Sequence, residues 1–354
     1  MHVVLAGGGT AGHIEPALNT ADALKREVAD CTVSFLGTER GLELRLVPAR
    51  GYELAVIPPV PLPRRPNLDL LTLPARLLKS VSAVRKHLRA AHADVVVGFG
   101  GYVALPAYLA AKLERIPVVV HEANAKAGLA NRVGARFAAA VVETVSGSLP
   151  NALNLGLPLR SAIVNLDRST AAAEGRALWR LADHRPVLLV FGGSQGARRL
   201  NEVTAAAADE LVASGFQILH SVGLANEDQL RHDLPGYVTV TYIERMDLAY
   251  AVASAALCRA GAMTVAELTA VGLPAIYVPL PIGNGEQRLN ALPVVARGGG
   301  VVVDNAEVSA RQVVDIVSDW FEGGLEGAAA AAKSCGRPDA AGELVQVILK
   351  AARR

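Results

Sequence analysis

A chain of 354 residues is longer than one hydrophobic core usually serves, so two domains are expected. With 51% apolar and 19% charged residues it has the composition of a folded protein, which excludes a disordered chain. A formal net charge of +2 argues for no nucleic-acid partner, and three cysteines without paired or metal-like spacing point to a reducing compartment.

The chain runs directly into an apolar strand at 2–6, with no basic-then-apolar leader, so no secretory signal is expected. No apolar run reaches the ~18–20 residues of a spanning helix. The longest are cut by Lys112, Glu114 and Arg115, or by the prolines of 274–281. Strand 2–6 ends in a glycine turn, G-G-G-T-A-G-H, whose last residue is His13. The turn lacks the strict G-x-G-x-x-G spacing, and the second strand, 32–36, is followed only by Glu39 in a charged loop, which disfavours a nicotinamide enzyme. His13 opens a helix beside this turn. Its near-neutral pKa makes a general base the better reading than a capping or packing residue, once a second glycine loop is seen to answer the first.

Residues 61–89 carry Arg64, Arg65, Arg76, Lys79, Arg85, Lys86 and Arg89 against one acid, Asp69, with leucines interleaved. Most of those leucines suit an amphipathic helix on the core, while the excess charge suits an anionic lipid surface. Nucleic acid is the poorer partner because no aromatics alternate with the cations. Strand 94–98 leads into F-G-G-Y. Strand 118–121 ends in H-E-A-N, where Glu122 joins His13 as a catalytic candidate and Asn124 is expected to line the site, with Asn131 on the helix that follows. Another strand occupies 140–144.

After Gly156-Leu157-Pro158-Leu159-Arg160 the pattern restarts. Strand 186–191 runs into G-G-S-Q-G-A, much as the first strand ran into its own glycine turn. Ser194 in this loop does not fit a nucleophile elbow, and a hydroxyl with backbone amides at a helix start suits phosphate. Strands follow at 217–222 and 238–243. The most telling stretch is 258–290: a strand at 255–258, Gly261, and a helix opening at Ala262, Met263 and Thr264 whose unpaired N–H groups and dipole favour a phosphate. Glu267, on the first turns of that helix, suits a ribose hydroxyl. A last strand, 275–279, delivers Glu286, Gln287 and Asn290, which suit a sugar. Continuous apolar strands alternating with helices predict parallel sheets covered on both faces, an α/β chain of two Rossmann-like halves with ligands outside the strand carboxyl ends. No D-x-D pair occurs, so neither a metal nor any other cofactor is expected.

The set G-G-T-A-G-H, H-E-A-N, G-L-P-L-R, G-G-S-Q-G-A, C-R-A-G-A-M-T-V-A-E and Q-R-L-N-A, in this order over nearly the whole chain, resembles the MurG family of membrane-associated N-acetylglucosaminyltransferases. The resemblance implies the GT-B architecture and inverting transfer of GlcNAc from UDP-GlcNAc to the MurNAc 4-hydroxyl of lipid I, giving lipid II for peptidoglycan. It implies a peripheral protein at the cytoplasmic face of the cell membrane. By similarity Thr10, Ala11, Gly12 and Asn124 line the site from the N-terminal half. Arg160, Ser194, the Ile243 backbone, the helix start through Ala262, Met263, Thr264, Val265, Ala266 and Glu267, and Gln287 hold the donor. Glu267 then takes the ribose, Gln287 and Asn290 the sugar, and His13 the acceptor proton. Ala11, Ala123, Leu157 and Glu286 depart from the family's usual glycine, glutamine, asparagine and glutamine. The expected domains are 1–160, facing acceptor and membrane, and 161–338, binding donor, with a C-terminal helix at 339–354 packing on a neighbour. Still open at this stage are another UDP-sugar transferase, a UDP-GlcNAc epimerase and a non-catalytic nucleotide-sugar module.

Overall fold

Val3 and Leu5 enter one apolar cluster, while Val4 and Ala6, their neighbours on the same strand, enter another on the opposite face. Successive side chains of a strand point to opposite faces, so a strand buried at every position is covered on both sides. The computed structural model describes residues 1–39, 41–60, 69–281 and 284–353, with side chains from residue 72 onward in the helix that starts at Asp69. Positions 61–68, with Arg64 and Arg65 of the basic stretch, lie outside the described residues, as do 282 and 283 before Glu286.

The chain divides into two units, Met1–Leu159 with Pro338–Arg354, and Arg160–Arg337. The first is built from β1 (His2–Gly7), α1 (Ala11–Glu27), β2 (Thr32–Gly37), α2 (Glu43–Ala49), β3 (Glu53–Val56), α3 (Asp69–Ala90), β4 (Val95–Gly100), α4 (Ala104–Glu114), β5 (Val118–Glu122), α5 (Leu129–Gly134), β6 (Ala140–Glu143) and β7 (Leu153–Asn154). The second holds α6 (Ser161–Val164), α7 (Arg168–Trp179), β8 (Val187–Phe191), α8 (Arg198–Ala213), β9 (Gln217–Ser221), β10 (Tyr237–Val240), α9 (Met246–Val252), β11 (Ala255–Cys258), α10 (Ala262–Val271), β12 (Ala275–Tyr277), α11 (Glu286–Val295), β13 (Gly300–Val302), α12 (Ala310–Asp319) and α13 (Leu325–Ser334). Helix α14 (Ala340–Ala352) returns to the first unit, where Leu344, Val345, Ile348 and Ala351 are buried in the cluster of Val3 and Leu5. Val347 is only partly buried beside them.

The first sheet has the order β3-β2-β1-β4-β5-β6-β7 and the second β10-β9-β8-β11-β12-β13. Every pairing is parallel. In each sheet the order reverses next to its first strand, between β1 and β4 and between β8 and β11. A doubly wound sheet opens a crevice at that switch point, outside the strand carboxyl ends. The chain feeds its glycine turns to these two places.

Candidate functional site

At the switch point of the first unit, β1 ends at Gly7 and α1 starts at Ala11, with Gly9 at φ 89° between them. A buried carboxylate holds this turn. Glu43, the first residue of α2, accepts from the Gly9 N–H at 3.0 Å and from the Thr38 N–H and hydroxyl at 2.9 and 3.1 Å. Sequence reasoning missed Glu43, because its two partners lie on different loops and no local motif marks it. Thr10, Ala11 and Gly12 are exposed beyond the turn. Thr10 Oγ1 lies 3.1 Å from His13 Nδ1, and the Gly8 carbonyl also accepts from the ring. The end of β4 closes on the same imidazole. A Cβ on Gly100 would stand 3.2 Å from His13 Nε2, and one on Gly101 would stand 2.3 Å from the Gly8 carbonyl oxygen. Only glycine lets the backbone approach so near, so the F-G-G-Y loop belongs to the site. Burial lowers the His13 pKa from 6.5, with the Gly8 hydrogen bond opposing, and the ring is neutral at pH 7.

Glu122 ends β5. Its side chain is buried, and both oxygens are occupied: Oε1 by the Asn124 N–H at 3.0 Å, Oε2 by the Gly128 N–H at 3.1 Å and Asn131 Nδ2 at 2.9 Å. Burial raises its pKa while these hydrogen bonds lower it. The carboxylate therefore shapes the loop that presents Asn124, a role within this unit that the sequence did not suggest for Glu122. Asn131 extends the same network, accepting from the Tyr108 hydroxyl at 2.7 Å. The basic helix α3 is partly neutralised inside its own unit, since Arg85 and Arg89 donate to the two oxygens of Glu114 on α4 at 2.6 and 2.7 Å. Lys79 and Lys86 remain exposed, with Leu78 at 70% and Leu113 at 60% exposure. Among the described residues no helix is long and apolar enough to cross a membrane.

In the second unit the loop 192–197 after β8 crosses the end of β9 backbone to backbone. A Cβ on Gly196 would lie 1.9 Å from the Val222 carbonyl oxygen, and one on Gly223 would lie 2.3 Å from the Gly196 nitrogen. Two cavities flank this loop. One, about 450 Å³, is lined by Gly192, Gly193, Gly196, Arg259, Gly261, Thr264 and Gln287 among others. The other, about 140 Å³, is lined by Ser194, Tyr242, Ile243, Tyr250 and Glu267 among others. At the start of α10 the first intrahelical bond runs from the Val265 N–H to the Gly261 carbonyl at 3.0 Å. The amides that a ligand can use are those of Ala262, Met263 and Thr264. Val265 is buried with its own N–H committed to that bond, and Ala266 follows it on the helix.

Glu267 accepts from the Tyr250 hydroxyl at 2.8 Å and from Arg160 Nη2 at 3.2 Å. Gln287 Oε1 accepts from the Leu280 N–H at 2.9 Å and the Ala260 N–H at 3.3 Å, so the amide NH₂ is the group it turns to a ligand. Asn290 lies on the same helix as Gln287, deeper in the unit. It is 2% exposed and donates to the Ala260 carbonyl at 3.3 Å, which places it beneath the β11–α10 turn and out of the cavity. Arg259, unassigned in the sequence reading, reaches that cavity while Nη1 holds the carbonyls of Val278 and Pro279 and Asn305 Oδ1 at 3.1, 3.3 and 2.7 Å.

Residues 3–143 match the glycosyltransferase family 28 N-terminal domain, and residues 187–344 its C-terminal domain. The chain is 57% identical over 359 residues to the Streptomyces coelicolor UDP-N-acetylglucosamine–N-acetylmuramyl-(pentapeptide) pyrophosphoryl-undecaprenol N-acetylglucosamine transferase, covering 99% of this chain and 98% of that protein. The crystal structure of Acinetobacter baumannii MurG superposes with a TM-score of 0.78 at 29% identity, covering 99% of each chain. The UDP-GlcNAc 2-epimerase from Neisseria meningitidis superposes at 0.68 with 15% identity, over 99% of this chain and 100% of that one, which is a likeness of fold alone.

Proposed function

The chain belongs to glycosyltransferase family 28, and from that premise we propose that it transfers GlcNAc from UDP-GlcNAc to the MurNAc 4-hydroxyl of lipid I, making lipid II for peptidoglycan. The observation that carries this reading is 57% identity along 99% of the chain to a transferase named for that donor and acceptor. The geometry agrees with it. The outward amides of Ala262, Met263 and Thr264, with the glycine loop at Ser194, form a cradle for a diphosphate. Glu267 takes the ribose hydroxyls, the Ile243 backbone faces the base, and the Gln287 amide NH₂ donates to the sugar.

Inversion needs one proton removed from the attacking hydroxyl and the negative charge of departing UDP absorbed. His13 performs the first task. In the tautomer that donates from Nδ1 to Thr10 Oγ1, Nε2 holds the lone pair that accepts the proton as the hydroxyl oxygen bonds to the anomeric carbon and the glycosidic C–O bond to UDP breaks. The helix amides perform the second task, so no divalent ion is required. Lys79, Lys86 and Leu78 on α3, together with Leu113, hold the protein at an anionic membrane surface where its lipid acceptor resides. Incubation with labelled UDP-GlcNAc and lipid I, with and without chelator, tests the proposal. Label is expected in lipid in both samples. Failure to label lipid in either sample would overturn the function, and label only with added magnesium would overturn the metal-free step.

A further inference from the structure

Tyr250 is fully buried on α9, yet its hydroxyl reaches 2.8 Å from Glu267 Oε2. Its ring is fixed edge-on against Phe191, with centroids 6.3 Å apart and planes at 63°. The helix end that carries it is fixed as well, since Arg168 Nε donates to the Tyr250 carbonyl at 3.1 Å. Arg160 Nη2 holds the other carboxylate oxygen at 3.2 Å. The carboxylate is thus gripped at both ends by donors of unequal strength, a cation on Oε1 and a neutral phenol on Oε2. Burial and the neighbouring carboxylate push the phenol well above its ordinary 10, so it is a donor at every working pH.

We infer that Tyr250 is a positioning residue for nucleotide selection: by holding Oε2 against the pull of Arg160 on Oε1, it fixes the plane of the Glu267 carboxylate so that both oxygens meet the vicinal hydroxyls of a ribose and discriminate against a 2′-deoxyribose. The inference rests on the donor reading given above. A buried carboxylate that loses one donor turns toward the donor that remains, and a diol is then met by one oxygen instead of two. A site built to bond a hydroxyl rejects the analogue that lacks it, and that rejection is what a misaligned carboxylate surrenders.

The test is equilibrium binding of UDP and of 2′-deoxy-UDP by calorimetry, which needs no acceptor and no turnover. Tyr250→Phe keeps the ring against Phe191 and removes only the donor. Its preference for UDP over 2′-deoxy-UDP is expected to fall about tenfold, the effect of one charge-assisted hydrogen bond, while 2′-deoxy-UDP itself binds as in the wild type. An unchanged preference overturns the inference and leaves the transferase reading standing. Absence of UDP binding by the wild-type protein overturns the donor reading and this inference together. If Tyr250→Phe does not fold, the comparison moves to Glu267→Gln with and without Tyr250→Phe. A phenol that acts only through the carboxylate leaves the preference of Glu267→Gln unaltered, and a further fall in the double variant refutes the inference.

Discussion

His13 is a base only while its ring is neutral, and burial lowers its pKa from 6.5. The proton-accepting form therefore prevails at neutral pH and is lost as pH falls through that lowered value. His13→Ala is expected to reduce turnover about 100-fold or more, the usual loss when a general base is removed. The acidic limb of the wild-type kcat profile should bend below pH 6.5 and be absent from the variant. A variant that keeps that limb would assign the titration to another group. Glu43 belongs to the same scale. It is itself fully buried and answers three donors at 2.9–3.1 Å, so Glu43→Ala leaves the buried Thr38 amide and the half-buried Gly9 amide without this acceptor. A destabilisation of about 3 kcal/mol is expected in chemical unfolding, with UDP binding by the second unit retained. Glu43→Gln keeps one acceptor oxygen and should cost less. Equal losses in the two variants would show that the carboxylate fills space and does not bond.

Among the elements, loop 192–197 crosses the end of β9 with backbone against backbone, between the two cavities of the second unit. Gly223 has φ 102°, and a Cβ there would meet the Gly196 nitrogen at 2.3 Å. Gly223→Ala must push the crossing backbones away from each other and displace Ser194, whose carbonyl accepts from the Leu224 N–H at 3.2 Å. UDP affinity is expected to fall about tenfold or more in calorimetry with the sheet intact by circular dichroism. Unaltered affinity would show that the loop does not touch the diphosphate. Such glycine turns were legible in the sequence because close approach leaves a residue-type signature, and buried strands such as Val187–Phe191 were legible because both faces demand apolar side chains. Strands β3, β7 and β13 were not. They lie at sheet edges, where one flank faces no partner, and Glu53–Val56 is only half buried and reads as loop. The start of helix α10 was legible from Gly261 and the apolar run after it, whereas the hydrogen bonds that Glu122 and Asn290 make within their own units were not. A polar residue at a strand or helix end looks the same in sequence whether it bonds a ligand or its own loop, and only Asn131 and the Ala260 carbonyl decide it.

For the molecule as a whole, the two units repeat one strand order and each buries a neutral histidine. His121 on β5 lies 3.0 Å from the Gly156 carbonyl oxygen, and His220 on β9 lies between the Tyr237 hydroxyl at 2.9 Å and Asn201 Oδ1 at 3.1 Å. Burial lowers both to a pKa of about 4 from 6.5. Between those values the unfolded chain binds a proton that the folded unit refuses, so folding stability is complete above pH 6.5 and declines as pH falls toward 4. Each histidine contributes a slope of about 1.4 kcal/mol per pH unit across that window, or about 3 kcal/mol in all. Trp179 and Trp320 both belong to the second unit, so tryptophan fluorescence follows its unfolding separately from the first. Urea midpoints read in this way should drop steadily from pH 6.5 to 4.5 in the wild type. His220→Gln removes the titrating ring, and although it lowers stability at pH 7 it should flatten the dependence by about one proton's worth of slope. Parallel curves for the variant and the wild type would mean that carboxylates, not His220, govern the acid lability of this unit.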